Sequence, residues 1–261
     1  MSIELSQIRK KYLWLVSGLI GLGLVLCVPP VWTLRSGSVS HTYWAKSYGK
    51  KSVRIGPLEE NWVPYKKISL HFIHAILVSE DERFFNHHGL DFHEIWESFL
   101  VNIREGRFVR GASTITQQVV KIAFLSRDKT IFRKLREMAG AVLLERLMSK
   151  EDILSWYLNL IELGDGVLGV GEGARHYFQT NAELLNVIQS VHLALILPGP
   201  NRWSRGLRRQ NLTRFGHRRF GIILNKMLLS GYVTKLQWDQ AMASGNFGSP
   251  VQAYPVNSGN N

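Results

Sequence analysis

A chain of 261 residues with 45% hydrophobic and 11% aromatic side chains can pack one sizeable domain plus appendages, which excludes disorder throughout. Its single cysteine, Cys27, excludes an internal disulfide or a cysteine-built zinc cluster and reads as a small apolar filler. The formal charge of +12 suits anionic headgroups, a phosphate-bearing ligand or nucleic acid.

The segment from Tyr12 to Leu34 carries no charged residue and is bracketed by Arg9, Lys10 and Lys11 before it and Arg35 after it. A membrane-spanning helix needs about 20 apolar residues, so the pattern predicts an uncleaved transmembrane anchor at 12–34 behind a cytoplasmic tail at 1–11. That places the bulk of the chain outside the cytoplasm and argues against nucleic acid. Residues 35–60, rich in Ser, Gly and Lys, read as a connector. The folded domain is expected over 61–245, followed by a disordered tail at 246–261.

Beyond Trp62 the pattern is helical almost throughout, with no sustained period-2 alternation. One helix is predicted over about 68–84, and a second runs from an Asp91 N-cap to the turn at Glu105-Gly106. A third opens at a T-x-x-Q capping box, Thr114 and Gln117. A fourth, about 130–148, is expected to bury Ile131, Leu135, Met138, Val142 and Leu147, and a fifth ends at Gly164. Thr180 and Glu183 read as the capping box of a sixth helix stopped by Pro198, and a basic helix follows.

The run GDGVLG at 164–169 spells the dinucleotide fingerprint G-x-G-x-x-G. That fingerprint needs a strand before it, whereas the sequence shows a helix there and no strand. Close packing of backbone on backbone or ligand is the better explanation.

Glu80 carries the main chemical signal. It falls on the apolar stripe of Ile73, Ile76, Leu77 and Phe84, near the C-terminal end of its helix. Desolvation and the negative helix terminus both disfavour a charge there, so its pKa should be raised, as suits a proton-transferring carboxyl. The competing explanation is a carboxylate held by a basic partner such as Arg83 or Arg110. A second carboxyl, Glu137, lies one turn after Arg133 and by itself reads as part of a solvated charged face. Its neighbourhood says more: Ser113 and Thr114 open a helix whose free N–H groups can meet an anion, and Lys121, Lys129, Arg133 and Lys134 could surround a diphosphate. His71, His74, His87, His88 and His93 offer no tetrahedral metal spacing. The arginine-rich run from Arg202 to Arg219 stays open between a solvated or lipid-facing helix edge and a specific site.

Together these residues resemble the monofunctional biosynthetic peptidoglycan glycosyltransferases (transglycosylases, glycosyltransferase family 51). EDERFFNHHGLD matches their first signature through Glu80, Asp81, Phe84, His87, Gly89 and Asp91. RGASTITQQ at 110–118 is similar to the second, Arg133, Lys134 and Glu137 fit the third, and ILSWYLN with Gly164, Gly166 and Gly169 fits the fourth. The chain departs from the pattern at Ile122, where Asn is common, at Lys129, where some relatives have Arg, and at Ser155, where Glu is frequent.

The resemblance implies a mostly α, lysozyme-like domain behind a single N-terminal transmembrane helix, working at the outer face of the cytoplasmic (inner) membrane. It implies polymerisation of lipid II and growing lipid-linked glycan, with undecaprenyl diphosphate released. Glu80 would be the general base and Glu137 would assist the diphosphate, with Lys121, Lys129, Arg133 and Lys134 neutralising it. Asp81, Phe84, His87, Gly89, Ser113, Thr114, Gln117 and Gln118 would shape the substrate groove. It requires no cofactor; Mg²⁺ or Mn²⁺ bound with the diphosphate is compatible with it. Cell-wall synthesis or division proteins are the partners it suggests. Two alternatives stand beside it: a lysozyme-like enzyme that cleaves glycan, which has no need of a diphosphate cradle, and an inactive lipid II-binding scaffold.

Overall fold

The computed structural model describes residues 28–35, 37–45, 49–126, 128, 130–209 and 211–244. The chain is mostly helical, as expected. Its helices are α1 (Leu70–Glu80), α2 (Phe92–Arg104), α3 (Ile115–Phe124), α4 (Ile131–Leu147) and α5 (Lys150–Leu160). They continue with α6 (Gly169–Phe178), α7 (Val187–Ile196), α8 (Pro200–Arg208), α9 (Arg214–Leu229) and α10 (Lys235–Ser244).

The local signals place most helix starts. Asp91 accepts the backbone N–H of Glu94 at the head of α2, and the Thr114–Gln117 capping box closes both ways at the head of α3. The cap predicted at Thr180 is displaced: residues 182–184 form a short 3-10 turn, and α7 starts later, at a capping box made by Asn186 and Gln189. Pairing α1 with α7 and α9, and α3 with α4 and α5, surrounds a continuous core that includes Phe72, Phe84, Trp156, Tyr157 and Phe220.

Three expectations are corrected. Among the described residues no helix is long and apolar enough to cross a membrane, which goes against the inner-membrane placement, while most of the span on which the single-pass anchor was expected falls outside the described residues. The end of the expected span, Val31–Arg35, is a short 3-10 helix against α4, and its Val31 and Leu34 are buried in the domain core. Those side chains are apolar because they pack against protein. The remainder of the expected span, 12–27, and the tail at 246–261 lie outside the described residues.

The segment expected to be a connector instead holds an antiparallel hairpin, β1 (Val39–Ala45) and β2 (Gly49–Ile55), in register from Val39 opposite Ile55. Val39 and Ile55 are buried, and His41 on β1 reaches the Ile122 carbonyl of α3 at 3.3 Å. Ile122 itself packs partly buried against the core, where a polar residue is common in the resembling family.

The glycine-rich stretch also departs from expectation. A strand does precede it: β3 (Glu162–Gly164) pairs antiparallel with β4 (Val167–Leu168), and α6 opens at Gly169. This miniature hairpin is unlike a parallel βαβ unit. Gly169 has φ +76°, and a Cβ there would lie 2.8 Å from the Asn159 carbonyl oxygen, so the glycine serves backbone-to-backbone contact.

Candidate active site

Glu80 is the last residue of α1, and Asp81 breaks the helix with extended backbone. One Glu80 oxygen accepts the Gln118 side-chain N–H of α3 at 3.2 Å, and the other lies 3.6 Å from an Arg219 nitrogen of α9. Burial nevertheless dominates and raises the Glu80 pKa; Gln118, Arg219 and Lys121 oppose that rise, while Asp81 adds to it. The basic partner is thus neither Arg83, which pairs with Asp91 at 3.3 Å, nor Arg110, which pairs with Glu94. Glu80 opens onto a cleft of about 810 Å³ also lined by Arg83, Arg110, Ser113, Arg219 and Lys226.

Asp81 turns away from Glu80 and is buried. Its carboxylate meets His87 Nε2 at 3.0 and 3.1 Å and accepts the Ile115 backbone N–H at 2.8 Å. The end of α1 is thereby tied to the start of α3, where unpaired N–H groups favour an anion. Gly89, at φ +91°, faces the α4 backbone so closely that a Cβ would sit 2.8 Å from the Ala141 carbonyl, and its own carbonyl accepts the Thr114 hydroxyl at 2.7 Å. Phe84 is fully buried beneath the Lys150 ammonium, 4.3 Å from the ring centre. Asp81, Phe84, His87, Gly89, Thr114 and Gln117 therefore hold the end of α1 against α3 and α4, and only Asp81 and Thr114 among them line the cleft.

The second acid lies on α4, which contributes no residue to the lining of that cleft and whose buried face differs from the expected one. Ile131 and Leu135 are 83% and 58% exposed, while Glu137, Gly140, Ala141 and Leu144 turn inward. Gly140 allows the approach: a Cβ there would fall 2.7 Å from a Val120 methyl. Glu137 is not on a solvated face. Its carboxylate is buried, accepting Arg133 Nη1 at 2.7 Å on one oxygen and the Lys134 ammonium on the other. Lys134 also donates to the Ser113 hydroxyl at 2.8 Å, joining α4 to the segment before α3.

Lys121 on α3 lies in the field of both acids. Desolvation lowers its pKa, Glu137 opposes that, Lys134 and Arg133 reinforce it, and Glu80 also acts on it. Lys129 lies outside the described residues. Ser155 is buried.

Glu137 is held by two cations and Asp81 by His87 and a backbone N–H, and among the described residues no group of three or more His, Cys, Asp or Glu side chains converges. His74 instead stacks on Tyr232, with ring centres 3.9 Å apart.

Sequence reasoning gave Tyr157 no role and named Arg219 only within the arginine-rich run whose role stayed open. Arg219 interrupts the buried stripe of Gly216, Phe220, Ile223 and Met227. That is the signal that singled out Glu80, and it was masked by the surrounding arginines. Tyr157 looks like any aromatic of a buried helix.

Residues 49–228 match the family described as Transglycosylase. The chain is 40% identical over 178 residues to the biosynthetic peptidoglycan transglycosylase of Dechloromonas aromatica (strain RCB), covering 68% of this chain and 75% of that protein. It is 36% identical over 230 residues to the protein of the same name from Herminiimonas arsenicoxydans, covering 84% and 96%. The chain belongs to the transglycosylase family of enzymes.

Proposed function

We propose that this protein polymerises lipid II into peptidoglycan glycan strands by inverting glycosyl transfer, with Glu80 as general base. The observation that carries the reading is the contrast between two acids: a carboxyl of raised pKa opens on the cleft, while Arg133 and Lys134 of α4 hold a buried carboxylate and Lys121 of α3 lies in the field of both acids. A base whose pKa is moved toward neutrality is suited to take a proton from a sugar hydroxyl. A set of fixed cations is suited to an anionic leaving group, and such preorganised charge is usually the largest catalytic contribution.

In this mechanism the Glu80 carboxylate removes the proton of the acceptor's 4-hydroxyl. The oxygen attacks C1 of the lipid-linked donor, the C1–O bond to the diphosphate breaks, and undecaprenyl diphosphate departs with the electron pair. Lys121, Lys134 and Arg133 neutralise the departing charge, and Glu137 orients the last two. Lys129 would join them. Ser113 shapes the groove through its bond to Lys134, and Gln118 through its bond to Glu80. Asp81, Phe84, His87, Gly89, Thr114 and Gln117 act by fixing the Glu80 end of α1 against α3 and α4.

Purified full-length protein given lipid II is expected to yield polymeric glycan and free undecaprenyl diphosphate, and Glu80→Gln to stop both. Soluble fragments released from sacculi without polymer would establish a cleaving enzyme instead. Binding of lipid II with no turnover would establish a scaffold.

A further inference from the structure

Tyr157 on α5 is a fully buried phenol that the mechanism above leaves unused. Its hydroxyl donates to the Gln118 side-chain carbonyl at 3.3 Å, and the same amide donates its N–H to Glu80 at 3.2 Å. A glutamine amide has one accepting end and one donating end. With a hydroxyl donor behind it, the amide is locked with its NH₂ toward Glu80. Without that donor, the amide can turn its oxygen to the carboxylate, which repels it.

We propose that Tyr157 is a positioning residue for the transfer reaction, acting through Gln118 to hold the Glu80 carboxylate in its ionised, cleft-facing state. The inference rests on the reading of Glu80 as the base. The groups that act on Glu80 are Gln118 and Lys121 from α3, Arg219 from α9 and the neighbouring Asp81. Arg219 sits on the other carboxylate oxygen, so the two oxygens are held from opposite sides by an amide and a guanidinium. Tyr157 keeps its proton: burial and the nearby Glu80 and Asp81 raise its pKa well above the usual phenol value. It is therefore a donor at every working pH.

Losing a hydrogen bond to the charged form raises an acid's pKa. Tyr157→Phe preserves the packed ring, so the acid limb of the kcat/KM profile with lipid II should move upward by about one pH unit, a tenfold loss on that limb. KM should stay near the parent value. Gln118→Met should shift the limb in the same direction, and the double substitution should shift it no further than Gln118→Met alone. Those three results together support the relay. An unmoved acid limb in Tyr157→Phe, or additive shifts in the double variant, would overturn it. If Tyr157→Phe fails to fold, an unmoved limb in Gln118→Met overturns it equally. Retained activity in Glu80→Gln would instead overturn the base assignment on which the relay depends.

Discussion

Glu80 and Glu137 are both carboxylates on helices with cations nearby, and the fold treats them oppositely. Glu137 is enclosed and accepts from Arg133 and Lys134 along its own helix, so both oxygens are satisfied within four residues. Glu80 is held by an amide and a distant guanidinium from two other helices, and desolvation outweighs them. A carboxylate satisfied by its own helix is a fixed charge that anchors cations. One whose partners are sparse and borrowed retains a proton affinity useful for chemistry.

The contrast breaks most sharply in activity. Glu80→Gln should cost about 10²–10⁴-fold in turnover, the usual worth of a positioned general base, with the circular dichroism spectrum unchanged. Lys121→Met should reduce turnover by roughly 10²-fold, comparable to removing one preorganised charge-stabilising group, as measured by release of undecaprenyl diphosphate.

Stability should reverse the order of the two acids. Glu137→Gln removes a charge that two cations share, and a loss of about 1–3 kcal/mol is expected in urea unfolding. Glu80→Gln should cause no such loss. Because the folded-state pKa of Glu80 is raised, the folded protein holds that proton more tightly than the unfolded chain. The Glu80 contribution is complete below the unfolded pKa and is lost as pH rises through the folded one. Thermal midpoints measured across that window should fall more steeply in the parent than in Glu80→Gln. The smallest effect expected is Thr114→Ala, about 1 kcal/mol, from the lost cap at the head of α3.

The sequence made much of this legible where the physics is local. Helix caps at Asp91 and Thr114, the stripe interrupted by Glu80 and the ordered motifs that identify the family all depend on residues a few positions apart. Where reasoning failed, the deciding contact was remote or packing outvoted periodicity. Ile131 and Leu135 are apolar at helical spacing yet exposed, because Gly140 and Ala141 let the other face of α4 approach α3. Val31 and Leu34 read as part of a membrane span because core-facing and lipid-facing residues share a composition. The hairpin at 39–55 escaped notice because, among the side chains described there, only Val39 and Ile55 are buried.

By itself, then, the sequence determined that this is a mostly helical transglycosylase-family enzyme with acids at Glu80 and Glu137. Capping, spacing and motif order are short-range properties written directly in the chain. Tertiary structure alone decided that Glu80 meets Gln118, 38 residues away, and that Gln118 meets Tyr157, 39 residues further on. It also set Arg219 against Glu80 while leaving Glu137 to its own helix. The reason is physical: the pKa of a carboxyl depends on the dielectric and charges around it, and those arrive from whichever helices the core brings together.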